Sequence, residues 1–452
     1  MLRSADQPMT VSFKTLGCKL NQSETDALAD QFKKAGFTVR DFTEPVDLAV
    51  INTCTVTNDA DSKSRAAIRL AIRTSPQARV VVTGCYAQIK PEEIKAIAGV
   101  NLILGTDEKY RILDHLKTLA DHELQEPLTI VNDRGEFDEV SVDGFISATS
   151  RARAFLKVQE GCDYYCSYCI IPFARGKARS RPFENTLNEA RLLAAQGYQE
   201  IVLTGINIGT YQVNSDQTYH LVDLLKGLEK ISGLKRIRIS SIEPNTVTDE
   251  LLQTIAESEV VCPHLHIPLQ SGNDDLLQAM NRKYRLTDYA RLMERFQYYL
   301  PNAALGTDVI VGFPGETEKH FQNTLEFIEH QPFTYMHVFR YSDRSGTVAA
   351  KLVNHVDPEA IKHRSKVLAS LMQKQKANYA KKFVGCSMPV LFDQNDHPRY
   401  SGYTKNYLRV QVESESELRK EIHLVKLNEE NGGVFFGHHQ TLSCPTCQDR
   451  SS

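Results

Sequence analysis

The chain has 452 residues, of which 41 % are hydrophobic and 24 % charged, and its net charge is −3. This length predicts two or three domains, each large enough for its own core. No apolar run approaches the roughly 20 residues of a membrane span, and the first residues lack the apolar core of a signal peptide. Ten cysteines then favour reduced thiols and metal ligands over disulfides. We therefore expect a cytoplasmic protein with no membrane contact.

The first part of the chain, residues 9–140, alternates strand and helix patterns and predicts a doubly wound parallel sheet. VSFKTLG alternates as a strand does, and SETDALADQFKKAGF is amphipathic, with Ser23 and Asp26 spaced as a capping box. DLAVINT, ARVVVTG and VNLILG are apolar runs typical of buried parallel strands. The domain contains neither G-x-G-x-x-G nor G-x-x-x-x-G-K-[ST], which argues against a nucleotide-binding domain.

Three cysteines of this domain, Cys18, Cys54 and Cys85, each follow a predicted strand. Because the carboxyl ends of parallel strands line one edge of a sheet, cysteines far apart in sequence can still converge there. A single cysteine is more often an ordinary core residue. Three cysteines at equivalent strand ends predict a metal site with three thiolate ligands.

A second trio of cysteines, Cys162, Cys166 and Cys169, has the spacing C-x3-C-x2-C. Iron–sulfur clusters are normally bound by four cysteines, so three predict a 4Fe-4S cluster with one iron open to an exchangeable ligand. S-adenosylmethionine binds to such an open iron. One electron from the cluster then cleaves S-adenosylmethionine to methionine and a 5′-deoxyadenosyl radical. Tyr168, directly before the third cysteine, resembles the aromatic residue that radical-SAM enzymes keep at this position, which implies a place near the adenine of this cofactor. A zinc knuckle or buried free thiols are the alternative interpretation.

Residues 148–375 repeat strand and helix patterns and predict a partial or complete β/α barrel, with the second trio just after its first strand. A long helix is predicted after the N-cap residue Asp357, with Pro358 at its first position and Gly385 at its end. Residues 376–440 contain short strand-like runs separated by Gly, Asn and Asp, which predict a small all-β barrel.

The remaining cysteines carry weaker signals. Cys262 and Cys386 are expected to be structural. The tail, residues 441–452, holds Cys444 and Cys447 downstream of His438 and His439. This spacing is cramped for a tetrahedral zinc site, so a disordered tail is expected instead.

Two segments carry an excess of positive charge. Residues 340–409 contain 13 Lys and Arg against 5 Asp and Glu, and residues 151–182 contain 7 against 2. A single basic run is usually solvated surface. Two such runs on a chain of slightly negative charge favour a polyanionic partner, and we expect a nucleic acid.

Motifs along the chain resemble the radical-SAM methylthiotransferase family. They are TLGCKLNQSET, NTCTVT, TGCYAQ, CDYYCSYCIIPFARG, LTGINIG, SSIEP and TDVIVGFPGE, and the resemblance extends from about residue 11 to residue 437. It implies an N-terminal methylthiotransferase domain, a radical-SAM barrel and a C-terminal TRAM barrel that binds RNA. LGCKLN and SSIEP are similar to the branch acting on threonylcarbamoyladenosine at position 37 of tRNA. YGCQMN is typical of the isopentenyladenosine branch, and LGCPKN of the branch acting on a ribosomal-protein aspartate.

The resemblance implies transfer of a methylthio group to carbon 2 of the adenine, with two 4Fe-4S clusters and S-adenosylmethionine as radical initiator and methyl donor. The second trio would cleave the cofactor, and the first trio would hold an auxiliary cluster that carries the sulfur. The implied partners are the anticodon loop of tRNA and an electron donor such as flavodoxin or ferredoxin. The alternatives are the same chemistry on the two other acceptors or, in another class, a non-catalytic RNA-binding metalloprotein.

Further site residues are predicted from the family motifs. The candidates for cofactor or substrate contacts are Thr204, Gly205 and Asn207 in LTGINIG, Ser240, Ser241 and Glu243 in SSIEP, and Gly312 and Gly315, whose backbone could approach the adenine. The candidates for RNA phosphate contacts are Arg175, Arg179, Arg181, Lys405 and Arg409. Tyr403 and Tyr407 could stack on unpaired bases or belong to the barrel core.

Overall fold

The computed structural model describes residues 8–120, 126–132, 151–215 and 217–439. It contains a parallel sheet with helices, then a barrel of parallel strands, then a closed five-stranded barrel. The predicted α/β multidomain fold class is confirmed. The predicted tail at 441–452, with Cys444 and Cys447, lies outside the described residues. None of the helices in the described ranges is long and apolar enough to cross a lipid bilayer.

The N-terminal unit is a six-stranded sheet in which all neighbouring strands are parallel. Its strands are β1 (Thr10–Thr15), β2 (Thr38–Arg40), β3 (Leu48–Thr53), β4 (Arg79–Gly84), β5 (Leu102–Leu104) and β6 (Leu128–Ile130). Its helices are α1 (Lys19–Lys34), α2 (Asn58–Thr74), α3 (Cys85–Ile89), α4 (Pro91–Lys95) and α5 (Ile112–Ala120). The strand order β2-β1-β3-β4-β5-β6 reverses direction between β1 and β3, where ligands commonly bind in such sheets.

Both faces of this sheet are covered. Val50 and Val81 pack on the side of α1, whereas Ile51 and Val82 pack on the side of α2. This explains the continuous apolar runs of the sequence. Helix α1 begins earlier than predicted, because Cys18 is its N-cap residue and the predicted capping box lies inside the helix.

The middle unit is a partial β/α barrel of six parallel strands with helices outside. Its wall is formed by β7 (Arg153–Lys157), β10 (Glu200–Thr204), β13 (Arg236–Ile239), β14 (His264–His266), β15 (Ala304–Val311) and β16 (Tyr335–Arg340). Two small two-stranded sheets lie outside this wall. They pair β8 (Gln159–Glu160) with β9 (Arg179–Ser180) and β11 (Gln212–Asn214) with β12 (Thr218–His220). The helices are α6 (Ile171–Arg175), α7 (Phe183–Ala195), α8 (Leu221–Glu229), α9 (Asp249–Glu257), α10 (Asp274–Ala279), α11 (Leu286–Tyr299) and α12 (Glu318–Glu329). Single bridges from Ile237 to Val261 and from Ser241 to His266 join the two halves of the wall.

The long helix α13 (Pro358–Lys381) begins as predicted, and the Asp357 side chain accepts hydrogen bonds from the backbone N–H groups of Glu359 and Ala360. It ends before the predicted Gly385, because Lys382 is its C-cap residue. It leads into the closed barrel of β17 (Ser387–Asp396), β18 (Arg399–Thr404), β19 (Arg409–Glu413), β20 (Ile422–Asn431) and β21 (Val434–His439). Leu368 and Met372 pack on the middle unit, whereas Ala380 packs into the C-terminal barrel. The helix is therefore shared by both units, and the predicted domain boundaries stay predictions.

The C-terminal barrel closes the amino-terminal end of the β/α barrel. Buried Arg236 donates to the backbone oxygens of Tyr403 (2.9 Å) and Pro389 (2.7 Å). Buried Arg238 donates to Glu200 (2.8 Å) and to the backbone oxygen of Lys405 (3.0 Å). These charge-assisted bonds satisfy guanidinium groups that would otherwise be costly to bury.

The carboxyl-terminal end of the barrel meets the N-terminal unit through a buried ionic network. Arg175 of α6 donates to Glu24 of α1 (2.8 Å) and to Glu160 (2.6 Å). Lys109 lies 2.6 Å and Lys157 3.4 Å from the Glu24 carboxylate. Burial by itself would raise the pKa of Glu24, but the three cations outweigh it and hold this pKa well below its usual range. The network fixes how the two units face each other.

We predict that Glu24→Gln destabilises this interface. Three buried cations would then share Glu160, so the free energy of unfolding should fall by about 3–5 kcal/mol. Urea titration followed by circular dichroism measures the loss. Because the folded-state pKa of Glu24 is lowered, its contribution is present above the unfolded pKa of about 4.3 and is lost as the pH falls towards the folded value. The difference between variant and wild type should therefore shrink in acid.

The control is Glu250→Gln, which removes an ion pair with Lys226. The Glu250 side chain is 68 % exposed. Its cost should be only about 0–1 kcal/mol. Equal losses in the two variants would contradict the structural role of Glu24.

Candidate active site

The second cysteine trio lies on the loop between β8 and α6, at the carboxyl end of the barrel wall. The Cys162 N–H donates to the Gly176 oxygen (3.1 Å), and the Cys169 N–H donates to the Cys166 oxygen (2.9 Å). All three thiols are free and half-buried. Burial raises the pKa of Cys162 to about 11 and that of Cys169 to about 12, so metal binding would release their protons.

A buried arginine contacts this trio. Arg282 Nη1 lies 3.0 Å from Cys166 Sγ, and its other terminal nitrogen pairs with Glu243. A cation beside a cysteine sulfur offsets the negative charge of a thiolate-bound cluster, and hydrogen bonds to such sulfurs tune its potential. Sequence reasoning missed Arg282, which is 116 residues from Cys166 and belongs to none of the quoted motifs.

The LTGINIG segment is held against the cysteine loop by Gln159. The Gln159 side-chain oxygen accepts from the N–H groups of Ile206 and Asn207, both at 2.9 Å. Its amide nitrogen donates to the Gly161 oxygen at 2.8 Å, next to Cys162. Gln159 was also missed by sequence reasoning. The predicted residues Thr204, Gly205 and Asn207 follow β10 at this end of the barrel, and their cofactor contacts stay predictions.

The SSIEP residues follow β13 at the same end. The backbone of Ser241 forms a parallel β-bridge with that of His266. The buried Ser240 hydroxyl has no hydrogen-bond partner within the described ranges. Burial raises the pKa of Glu243 although its partner Arg282 opposes the rise. Tyr168 packs on the apolar side of this region beside Ile310 and Phe313. Of these predicted residues, Glu243 is linked to the second trio through Arg282, and Tyr168 directly precedes Cys169.

The two predicted glycines follow β15 in a turn that requires left-handed backbone. Gly312 has φ +82° and Gly315 has φ +86°. The Gly312 N–H donates to Glu316 at 2.6 Å, and an added Cβ there would lie 2.5 Å from Ile361 of α13. Gly312 is therefore needed for close packing by the protein itself, and its contact with an adenine stays a prediction.

The first trio lies at the carboxyl ends of three adjacent strands. Cys18 follows β1, Cys54 follows β3 and Cys85 follows β4. Gly17 has φ +98°, and an added Cβ there would lie 2.8 Å from Cys54 Sγ. Burial raises the pKa of Cys54 to about 12, and the charges of Cys85 and Cys18 add to the rise. Cys54 and Cys85 follow the register partners Thr53 and Gly84, so the three cysteines lie side by side at the sheet edge.

A buried cation and a barrel-facing lysine accompany this first trio. Burial raises the pKa of Cys85, and Arg175 is the strongest of the groups that oppose the rise. Lys19, directly after Cys18, is accessible to solvent but is surrounded by protein. Partial desolvation and the charges of Arg153 and Arg238 of the barrel lower its pKa to about 8. The start of α1 therefore faces the barrel interior.

The loops that carry the two trios border one cavity. A cavity of about 180 Å³ is lined by Val56 and Thr57, which follow Cys54, and by Tyr168, which precedes Cys169. Arg344 fixes this side by pairing with Asp61 at 2.9 Å and donating to the Thr55 oxygen at 3.2 Å. The cavity therefore borders the loops of both trios.

The donor chemistry of both trios fits an iron–sulfur cluster. In the described ranges the group of donor atoms compact enough for one metal ion is His266, Asp308 and His337, and it contains no cysteine. A 4Fe-4S cube separates its thiolates more widely than a single ion does. Each trio provides three free thiols and has a buried arginine nearby, Arg175 for the first trio and Arg282 for the second. Such an arrangement suits a 4Fe-4S cluster, because the thiolates bind iron and the arginine offsets negative charge.

The predicted RNA contacts of Arg175 and Arg181 are wrong. Both side chains are buried, Arg175 in the ionic network and Arg181 against Glu189. Composition counts charges but does not reveal their partners, and here the basic run is neutralised inside the protein. Half-buried Arg179 donates to the backbone oxygens of Arg175 (3.2 Å) and Lys177 (3.3 Å).

The other predicted RNA contacts lie near the interface of the two barrels. Lys405 donates to the Glu259 backbone oxygen, and Arg409 begins β19. The rings of Tyr403 and Tyr407 stack on each other at 4.8 Å. Arg153 lies over the first ring at 5.1 Å and Arg238 over the second at 5.0 Å, so the tyrosines serve the barrel interface. Of the two expected structural cysteines, Cys262 is buried but Cys386 is exposed.

Comparison with known proteins agrees with this site. Residues 156–328 match the Radical SAM superfamily, and residues 10–105 match Uncharacterized protein family UPF0004. Among solved structures, the radical S-adenosylmethionine methyltransferase TsrM from Kitasatospora setae superposes with a TM-score of 0.55 at 15 % identity, over 76 % of this chain and 77 % of that one. The fold and the cysteine loop therefore define a radical-SAM protein, which uses S-adenosylmethionine and an iron–sulfur cluster.

Similarity over nearly the whole chain identifies the family. The threonylcarbamoyladenosine tRNA methylthiotransferase MtaB of Bacillus subtilis is 41 % identical, over 92 % of this chain and 93 % of that protein. MtaB of Aquifex aeolicus is 39 % identical, over 91 % and 98 %. The tRNA-2-methylthio-N(6)-dimethylallyladenosine synthase of Clostridium novyi is 34 % identical, over 87 % and 88 %. The chain belongs to the radical-SAM methylthiotransferase family, as its motifs predicted.

We predict that Arg282→Leu lowers the reduction potential of the cluster bound at the second trio. Without the guanidinium beside Cys166, the added electron is stabilised less. A redox titration followed by electron paramagnetic resonance measures the shift, and Arg282→Lys should restore part of it. Arg291→Leu, at an exposed position of α11, is the matched control and should leave the potential unchanged. An unchanged potential in Arg282→Leu would contradict the electrostatic role.

Proposed function

We propose that this enzyme adds a methylthio group to carbon 2 of N6-threonylcarbamoyladenosine at position 37 of tRNA. The observation that carries the proposal is that the loops of both cysteine trios border one cavity, which Thr57 and Tyr168 line. The branch is supported by LGCKLN around Cys18 and by the two relatives at 41 % and 39 % identity, both named for this base. A dimethylallyladenosine or ribosomal acceptor is the alternative.

Two 4Fe-4S clusters are part of the proposal, one on Cys162, Cys166 and Cys169 and the other on Cys18, Cys54 and Cys85. When bound, the clusters and S-adenosylmethionine would supply the carbon radical, the sulfur and the methyl group.

The protein's own part is to orient and enclose these groups. Arg282 offsets charge at the second trio, and Gln159 fixes the LTGINIG loop beside it. Arg175 has both roles at the first trio. It holds α1 in place by pairing with Glu24, and its positive charge opposes the rise in the pKa of Cys85. The predicted contacts of Thr204, Ser240, Glu243 and their neighbours belong to this proposal as cofactor or substrate ligands.

The tRNA would bind through phosphate contacts that position the anticodon loop at the cavity. Exposed lysines Lys374, Lys381 and Lys382 lie on or just after α13, and half-buried Arg409 begins the adjoining β19. Such contacts position a nucleic acid without reading its sequence. We also propose a cytoplasmic location and reduction by a flavodoxin or ferredoxin.

We predict that the two trios fail in different ways. Reconstituted enzyme should hold about eight irons per chain, as two 4Fe-4S clusters require. Cys166→Ala should abolish formation of 5′-deoxyadenosine, whereas Cys54→Ala should keep part of it and form no methylthiolated base. Mass spectrometry of tRNA nucleosides from a complemented deletion strain measures the product.

Exposed Cys386→Ala is the matched control and should keep wild-type iron content and product. Methylthiolated product from Cys54→Ala would contradict the sulfur-donor role of the first trio. A chain that binds zinc alone and makes no product would instead support the RNA-binding metalloprotein.

We predict that Lys382→Gln combined with Arg409→Gln weakens tRNA binding equally for all tRNA sequences. The loss of two phosphate contacts should lower the magnitude of the slope of log K against log[salt] by about 1–2. Filter binding between 50 and 200 mM salt, in roughly the range where such contacts matter, measures this slope. Lys117→Gln, at an exposed position of α5, is the control, and an equal change in that variant would refute the proposed surface.

A further inference from the structure

Three neighbouring strands of the barrel carry polar side chains on one face. Leu265, Val309 and Val338 of β14, β15 and β16 belong to the apolar core shared with the outer helices. Side chains alternate between the two faces of a strand, so the residues between them lie on the opposite face. The polar residues of that face are His264, His266, Asp308, Tyr335 and His337.

Three of these side chains converge on one point. His266 Nε2 lies 3.1 Å from Asp308 Oδ1, and His337 Nδ1 lies 3.0 Å from the same oxygen. Asp308 and His337 are register partners in the parallel ladder, which makes the contact a property of the sheet. Around an ion with bonds of about 2.0–2.1 Å, neighbouring donor atoms are separated by similar distances. Two imidazoles with one carboxylate are typical of catalytic zinc and of non-haem ferrous sites.

The surroundings support metal binding at this cluster. Tyr335 Oη lies 3.3 Å from His266 Nδ1 and 2.8 Å from His264 Nε2. Metal-binding histidines usually engage their second nitrogen in such a hydrogen bond, which orients the ring.

The cluster opens towards the active-site cavity. Asp308 lines the cavity of about 180 Å³ together with Gln270 and Tyr168. The side chain of His337 is 60 % exposed, which gives an ion a path to the site. An ion with three protein ligands keeps a fourth position free. Here that position would face the cavity that Asp308 lines.

We propose that His266, Asp308 and His337 bind one divalent transition-metal ion, zinc or ferrous iron, whose open position faces the active-site cavity. The ion would bind an anionic oxygen of a molecule in that cavity. The site uses none of the six cluster cysteines and does not depend on the identity of the tRNA base. The competing interpretation is a hydrogen-bonded His–Asp–His group that holds no metal.

The test is zinc binding to the full-length, cluster-reconstituted enzyme. After equilibration with Zn²⁺ and removal of free metal, mass spectrometry should find about one zinc per chain beyond the irons. His337→Ala and Asp308→Asn should each weaken zinc binding by more than about 100-fold, because even second-shell losses cost 10–100-fold. Tyr335→Phe should weaken it by about 10–100-fold. His330→Ala, at the exposed C-cap residue of α12, is the matched control and should leave zinc binding unchanged.

X-ray absorption at the zinc edge gives an independent readout. Scattering from nitrogen and oxygen alone supports the proposal, whereas sulfur scattering would place the zinc on cluster cysteines and overturn it. Zinc that is absent, or that is bound equally by wild type, His337→Ala and Asp308→Asn, would also overturn it. His337 is the decisive position because it is the most exposed of the three, so its replacement should leave the fold intact.

Discussion

The buried pair of Arg175 and Glu24 is the contact on which the arrangement of the active site depends. Glu24 lies in the helix that begins after Cys18, and Arg175 ends the short helix that begins after Cys169. One ion pair thus links the segments that carry a cysteine of each trio. Buried charges cost several kcal/mol unless their partners are complete. A docking angle that separated this pair would therefore be disfavoured strongly, whereas an apolar interface would tolerate sliding.

The opposite end of the barrel is also closed by buried arginines, but these donate hydrogen bonds to backbone oxygens. Arg236 and Arg238 project from β13 and donate to backbone oxygens of the C-terminal barrel, including those of Tyr403 and Lys405. Backbone oxygens are fixed by the strands to which they belong, so these bonds hold the C-terminal barrel in one orientation. The surface proposed to bind tRNA is consequently held at a defined distance from the cavity.

Local patterns predicted the fold and the cysteines, because both follow from short-range rules. Strand ends placed Cys18, Cys54 and Cys85 on one sheet edge, and the N-cap of α13 was readable from its own residues. The role of Arg282 was not readable, since its contact with Cys166 depends on the closure of the whole barrel wall. The error at Arg175 has the same cause, because its partner Glu24 belongs to another domain.

Each trio is paired with one arginine, but the two arginines are held differently. Arg175 is locked by two carboxylates and an asparagine inside the domain interface. Arg282 is held by Glu243, which follows β13 where the family motifs place cofactor or substrate contacts. A ligand that competes for the Glu243 carboxylate would therefore alter the charge beside Cys166, whereas no single ligand could release Arg175. The second trio can thus respond electrostatically to a ligand that binds Glu243, whereas the charge beside the first trio is held by the protein itself.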